Sequence, residues 1–128
     1  MKVVDTSVVI KIFFPEEGSD RALSLIRNHS LIAPDLLLYE FSNYLALRRD
    51  ITQDDVEFLI KRFYRLPFEF FVLPENRFIE VCQFAKKLKV TAYDASFLIL
   101  AKSLRIPLIT ADHKFYKVAS RYGEVYPL

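Results

Sequence analysis

Apolar residues fall along the chain in two alternating kinds of segment. Short, nearly continuous runs at 2–4, 31–33, 68–73, 107–110 and 124–126 read as strands, the last of them at a sheet edge. Between them, apolar positions recur every three or four residues over 7–14, 20–28, 35–49, 54–65, 75–88 and 93–104, and these stretches read as helices. A short helix is expected at 115–120. The punctuation agrees with the periods. Pro15 and the turn Glu16-Glu17-Gly18 stop the first helix, and Ser19 is placed to cap the second. Thr52 and Asp55 have the spacing of a capping box, and Pro74 suits a first helical position. The segment 93–104 is almost wholly apolar, so it should lie buried against a sheet. Alternating strands and helices of these lengths predict an α/β domain with a parallel sheet.

That order gives several acidic residues an unusual place. Asp5 directly follows the first strand, and Asp112 lies just past the fourth. Asp94 opens the apolar helix. Glu40 sits in the second turn of the helix after the second strand, with Asn43 three residues on and on the same face. In an open parallel sheet, strand C-termini and the helix N-termini that follow them line one edge, where ligands bind. The predicted elements therefore carry Asp5, Glu40, Asp94 and Asp112 to one end of the sheet, although they span more than a hundred positions. Taken singly, an Asp after a strand is commonly a turn or cap residue. Glu40 is the least ordinary of the set, because Leu36, Leu37, Leu38, Phe41, Tyr44 and Leu45 surround it and an unpaired buried Glu is costly. Four carboxylates in one crevice repel, and need either raised pKa values or a cation. Oxygen ligands without His or Cys suit Mg²⁺ or Mn²⁺, ions that activate water for phosphoryl chemistry. Thr6, Ser7 and Thr110 supply hydroxyls beside the acids.

Composition narrows the alternatives. A chain of 128 residues, 52% hydrophobic and 27% charged, suits one domain spanning 1–128. Two glycines, Gly18 and Gly123, are too few for a Gly-rich phosphate loop. A single cysteine, Cys82, leaves no internal disulfide or Cys-based zinc site, and His29 and His113 are too few for a His-rich one. No segment reads as a signal peptide, and no apolar run approaches the ~18 residues of a membrane span. The expectation is a soluble cytoplasmic protein without membrane contact. Net charge is only +2, but with four acids gathered at one edge the remainder is clearly basic. Among the basic residues, Lys11 and Lys114 lie nearest that edge and are the candidates to meet nucleic-acid phosphates.

Four segments, in order, resemble the PIN-domain ribonucleases, and most closely the VapC toxins of toxin–antitoxin pairs. Val3-Val4-Asp5-Thr6-Ser7 is similar to the family's opening, two hydrophobic residues followed by Asp-Thr-Ser. Pro34 to Asn43 resembles its P-x-L-x-x-E-x-x-N segment, and Tyr93-Asp94-Ala95 to Ala101 its Y-D-A helix. Leu108-Ile109-Thr110-Ala111-Asp112 resembles the end of its late strand. The resemblance implies a three-layer α/β/α domain with a mainly parallel sheet of four to five strands. It implies a metal-dependent endoribonuclease acting on tRNA, rRNA or mRNA, with Asp5, Glu40, Asp94 and Asp112 as metal-site acids and Thr6, Asn43 and Thr110 in support. It also implies a homodimer and a cognate antitoxin that covers the site.

Two rival readings remain at this stage, a phosphoacceptor receiver domain and a non-catalytic RNA- or protein-binding PIN module. A receiver pattern has paired acids after its first strand, whereas Asp5 stands alone before Thr6-Ser7. Nineteen aromatics (twelve Phe, seven Tyr) are also more than one small core needs. Phe13, Phe14, Phe58, Phe63 and Tyr64 are therefore expected to line a groove between the helices 7–14 and 54–65, filled by an amphipathic segment of the antitoxin.

Overall fold

Strands β1 (Lys2–Val4), β2 (Leu31–Pro34), β3 (Phe68–Phe71), β4 (Leu108–Thr110) and β5 (Val125–Pro127) form one sheet in the computed structural model, which describes residues 1–128. The order is β3-β2-β1-β4-β5 and every pairing is parallel. A parallel sheet is covered on both faces, which is why its inner strands read as continuous apolar runs. Seven helices alternate with the strands: α1 (Thr6–Phe13), α2 (Ser19–Asn28), α3 (Leu36–Leu47), α4 (Gln53–Phe63), α5 (Glu75–Leu88), α6 (Ala92–Leu104) and α7 (His113–Ala119). None of them is long and apolar enough to cross a membrane.

The two-residue period of the strands divides the core. Val3, Ile32 and Leu108 are paired neighbours and belong to the larger core, with α6 and α5 packed over it. Val4, Leu31 and Ile109 belong to a smaller core on the other face, closed by Val8 of α1 and Ala22 of α2. Helix α6 is buried from Ala95 to Ala101 without interruption, as its largely apolar sequence requires, and the one hydroxyl in that run, Ser96, donates to the Ala92 carbonyl at 2.7 Å. Three layers result.

Most caps form where the spacing puts them, with a few differences. The Thr52–Asp55 capping box is present on both sides. Helix α2, however, is preceded by Gly18 at φ 91, and Ser19 is its first helical residue. The Ser19 hydroxyl instead accepts from the Glu16 N–H at 2.9 Å and donates to the Phe14 carbonyl at 3.3 Å. The turn needs a positive φ, and a Cβ at position 18 would come within 3.1 Å of Lys11 Cδ. Pro74 is the N-cap of α5, in extended conformation, rather than its first helical residue. Helix α7 starts at His113, two residues before the expected 115, because the Asp112 side chain caps it through the Phe115 N–H.

Phe63 does not line a groove. It is buried, with its ring centroid 5.0 Å from Phe41, 5.6 Å from Phe68, 6.0 Å from Phe70 and 6.3 Å from Phe13. Its position near the end of α4 turns it inward over β3, whereas Phe58 and Tyr64 stay exposed. A cleft of about 510 Å³ does open between α1, α2 and α4, lined chiefly by Ile12, Phe13, Leu23, Ile26, Phe58 and Leu59, with Arg62 and Arg65 beside them.

Candidate active site at the sheet's switch point

The strand order reverses at β1: β2 and β3 lie to one side, β4 and β5 to the other. Such a reversal leaves a crevice at the strand C-termini, here between β1 and β4. Asp5 is the residue after β1 and the N-cap of α1. Its carboxylate accepts from the Ser7 N–H at 3.1 Å, from the Ser7 hydroxyl and, on its other oxygen, from the Thr110 hydroxyl at the end of β4. The stitching continues across the crevice, since the Ala111 N–H donates to Ser7 Oγ at 2.9 Å and the Asp112 N–H to Thr110 Oγ1 at 3.1 Å. Asp5 is thereby fixed in a buried position with only 7% of its surface exposed.

The other acids reach the crevice from three helices. Glu40 of α3 accepts a 2.7 Å hydrogen bond from the Thr6 hydroxyl of α1. Asp94, in the first turn of α6, donates its N–H to Thr91 Oγ1 at 3.1 Å. Asp112 caps α7 and is exposed. Their fields overlap. Burial pushes Asp5 up to about 6, against the opposing hydrogen bonds from Ser7, Thr110 and Val8, and the Asp94 charge adds to the rise. Burial and then Asp94 raise Glu40, with Thr6 opposing. Burial and then Asp112 raise Asp94, with Thr91 opposing. None of the four has a basic partner at ion-pair distance. As they stand, no three converge closely enough to chelate an ion directly. The local result is a pocket of mutually repelling, uncompensated carboxylates.

The expected supporting residues divide. Thr6 and Thr110 hold carboxylates, and Asn43 is exposed in a cleft of about 450 Å³ that it shares with Thr6, Ile10, Glu40, Tyr44 and Arg48. Lys11 lies beside the end of β4, but its ammonium is tied to the Glu17 carbonyl at 2.7 Å and to Glu16 at 3.2 Å. Lys114 is exposed on α7 and lines none of these clefts. Two contributors go beyond the sequence reading. Ser7 is the hub of the network rather than a bystander hydroxyl. Thr91 orients the first turn of α6, and its three-residue spacing to Asp94 is the signal already recognised at Thr52 and Asp55.

The PIN domain family matches residues 2–121, a span that contains all four acids and the strands that carry them. The chain belongs to the PIN domain family. A curated relative, Ribonuclease VapC3 of Pyrobaculum aerophilum, is 32% identical over 121 residues, which is 88% of this chain and 89% of that protein. The crystal structure of FitAcB from Neisseria gonorrhoeae superposes with a TM-score of 0.74 at 16% identity, covering 98% of this chain and 96% of its own. PAE2754 from Pyrobaculum aerophilum gives 0.69 at 20% identity, covering 98% and 89%. These two likenesses carry the fold. The wholly parallel five-stranded sheet of this PIN domain bears out the expected three-layer domain with a mainly parallel sheet of four to five strands, and the receiver reading is set aside.

Proposed function

We propose that this PIN domain is a divalent-metal-dependent endoribonuclease and the toxin of a toxin–antitoxin pair. The observation that carries the reading is the set Asp5, Glu40, Asp94 and Asp112, brought to one crevice with no basic partner and with three of the four pushed above the ordinary carboxylate range, first by burial and then by a neighbouring acid. The name of the relative Ribonuclease VapC3 supports it. Carboxylate oxygens without His or Cys fit Mg²⁺ or Mn²⁺, with Asp5, Glu40, Asp94 and Asp112 as the residues that would hold the ion. Because no three of them converge, part of that hold would run through water, which Mg²⁺ retains readily. When bound, the ion supplies an activated water and positive charge for hydrolysis of a phosphodiester in tRNA, rRNA or mRNA. The chain's own work is orientation: Ser7 and Thr110 aim Asp5, and Thr6 aims Glu40. Cleavage of RNA should require Mg²⁺ or Mn²⁺ and stop in excess chelator. Full activity in chelator would remove the metal-dependent reading.

The cleft between α1, α2 and α4 is where the antitoxin fits this reading. It is apolar with Arg62 and Arg65 beside it, so it suits an amphipathic segment bearing acidic residues. Six residues of α1, roughly 9 Å of helix, separate Ile12 from Thr6. A basic side chain of the segment, Arg for preference, can therefore extend to the carboxylates and take the cation's place. Phe58 is exposed, so Phe58→Asp should fold, keep cleavage and weaken inhibition by the cognate antitoxin tenfold or more, on the order of one lost aromatic anchor. Unchanged inhibition would place the antitoxin elsewhere. A second apolar face, with Tyr39, Phe78 and Tyr93 around Leu36 and Leu73, suits a second copy of the chain. Sedimentation at micromolar concentration should then give the mass of a dimer, and a monomer mass would exclude that contact.

A further inference from the structure

A smaller pocket of about 150 Å³ opens on the β4 side of the crevice, among Lys11 of α1, Glu17 and Arg21 around the α1–α2 turn, Thr110, His113 and Leu128. It touches the acidic site directly, because Thr110 lines it while donating to Asp5. Unlike the site, it carries cationic side chains, Lys11 and Arg21, beside Glu17. Lys11 is spent on Glu16 and the Glu17 carbonyl, but Arg21 makes no ion pair. The Arg21 guanidinium is held over the turn, 3.4 Å from where a Cβ of Gly18 would stand, alongside the Lys11 stem. Glycine at φ 91 thus leaves room for two basic side chains to lie together beside the strand end. Lys11 is already neutralised by Glu16, so Arg21 is the cation of this pocket left to take an anion. The pocket opens to solvent beside the strand end, so an anionic group carried on a longer chain, such as one phosphodiester of a nucleic-acid strand, can enter it.

We infer that Arg21, with Lys11 and His113 beside it, binds a backbone phosphate of the RNA next to the one that is cleaved, so that the strand crosses from this basic pocket into the carboxylate crevice. The inference rests on the ribonuclease reading and adds the direction of the RNA and a positioning residue to it. Arg21 guides the strand and does not reach the reacting bond, so its loss should act on binding and leave the chemical step alone.

The test uses fluorescein-labelled oligouridylate in excess chelator for binding and a longer RNA in Mg²⁺ for cleavage. Arg21→Ala should weaken binding about tenfold, the scale of one charge-assisted hydrogen bond, and lower the salt slope by about 0.7, the value for one single-strand phosphate contact. KM should rise with kcat unchanged, and Arg21→Lys should restore the salt slope. Lys86→Ala, an exposed cation on α5, should change none of these. Parent-like binding and KM in Arg21→Ala overturn the inference, as does an equal loss in Lys86→Ala. Intact RNA binding with lost antitoxin binding would assign the pocket to the protein partner and overturn it too. If the parent itself neither binds nor cuts RNA, the ribonuclease reading has failed and this inference falls with it.

Discussion

Asp5→Asn should abolish cleavage while leaving the metal-free protein no less stable than the parent at neutral pH. The two halves of that result have separate causes. Cleavage should fall on the order of 10²-fold or more, the scale of losing one preorganised charge-stabilising group. Stability responds to the cost of an ionised carboxylate in a buried position. Asp5 titrates near 3.8 when unperturbed and near 6 in the folded chain. Between those values the folded protein holds a proton that the unfolded chain has released. Stability from this group is therefore complete below about pH 4, and is lost as pH rises through 6, by up to about 3 kcal/mol. Asn carries no charge and escapes that loss. It is not free of cost, since one of its two oxygens becomes a donor facing Thr110, whose hydroxyl must then turn toward Ser7 Oγ at 3.5 Å. The loss avoided and the hydrogen bond disturbed offset each other in part, so the thermal midpoint in chelator at pH 7.5 should hold or rise. In the parent it should fall from pH 4.5 to pH 7, and Asp5→Asn should flatten that part of the profile. A midpoint several degrees lower in Asp5→Asn, with cleavage retained, would make Asp5 a helix cap and nothing more.

Phe63→Ala should be the most damaging single truncation in the molecule's aromatic core. Phe63 is 1% exposed and its ring meets those of Phe13, Phe41, Phe68 and Phe70, which come from α1, α3 and β3. Removing it leaves a cavity walled by rings that cannot close in together, and the cost should be about 3–5 kcal/mol. That is a large share of the 5–15 kcal/mol typical of a domain. The denaturant midpoint should fall steeply with the slope unchanged. Phe63→Asp would add a buried unpaired charge and should not fold at all. Phe58→Ala, five residues earlier on α4 and exposed, should cost little by comparison. A loss under 1 kcal/mol in Phe63→Ala would show that the ring cluster does not hold α4 to the sheet.

Local order was legible because its causes are local. The period of apolar positions along α3, α5 and α6, and the Thr52–Asp55 box, depend on residues within a turn or two of one another. Gly18 took the cap position expected of Ser19 because φ 91 and the nearness of Lys11 are properties of the packed turn, which a preference for Ser at caps does not contain. The four acids were recognisable as a set because residues after strands and at helix starts share an edge whenever the sheet is parallel. Their pairing was not recognisable. Asp5 meets Thr110, which in turn accepts from the Asp112 N–H, only because β1 lies between β2 and β4, and that order is a matter of which distant strands pair. Phe63 and Phe58 illustrate the same limit on one helix: both fit an amphipathic α4, but the placement of β3 beneath its end decides which ring is core and which faces the cleft. Arg21 is the furthest case, an ordinary basic residue of α2 until the α1–α2 turn folds it beside Lys11 at the end of β4. Periodicity, caps and residue chemistry, written within a few positions of each other, thus specify the elements and the kind of chemistry. Which side chains meet is set by strand order and helix placement, because those contacts join residues up to 105 positions apart and exist only once the sheet has closed.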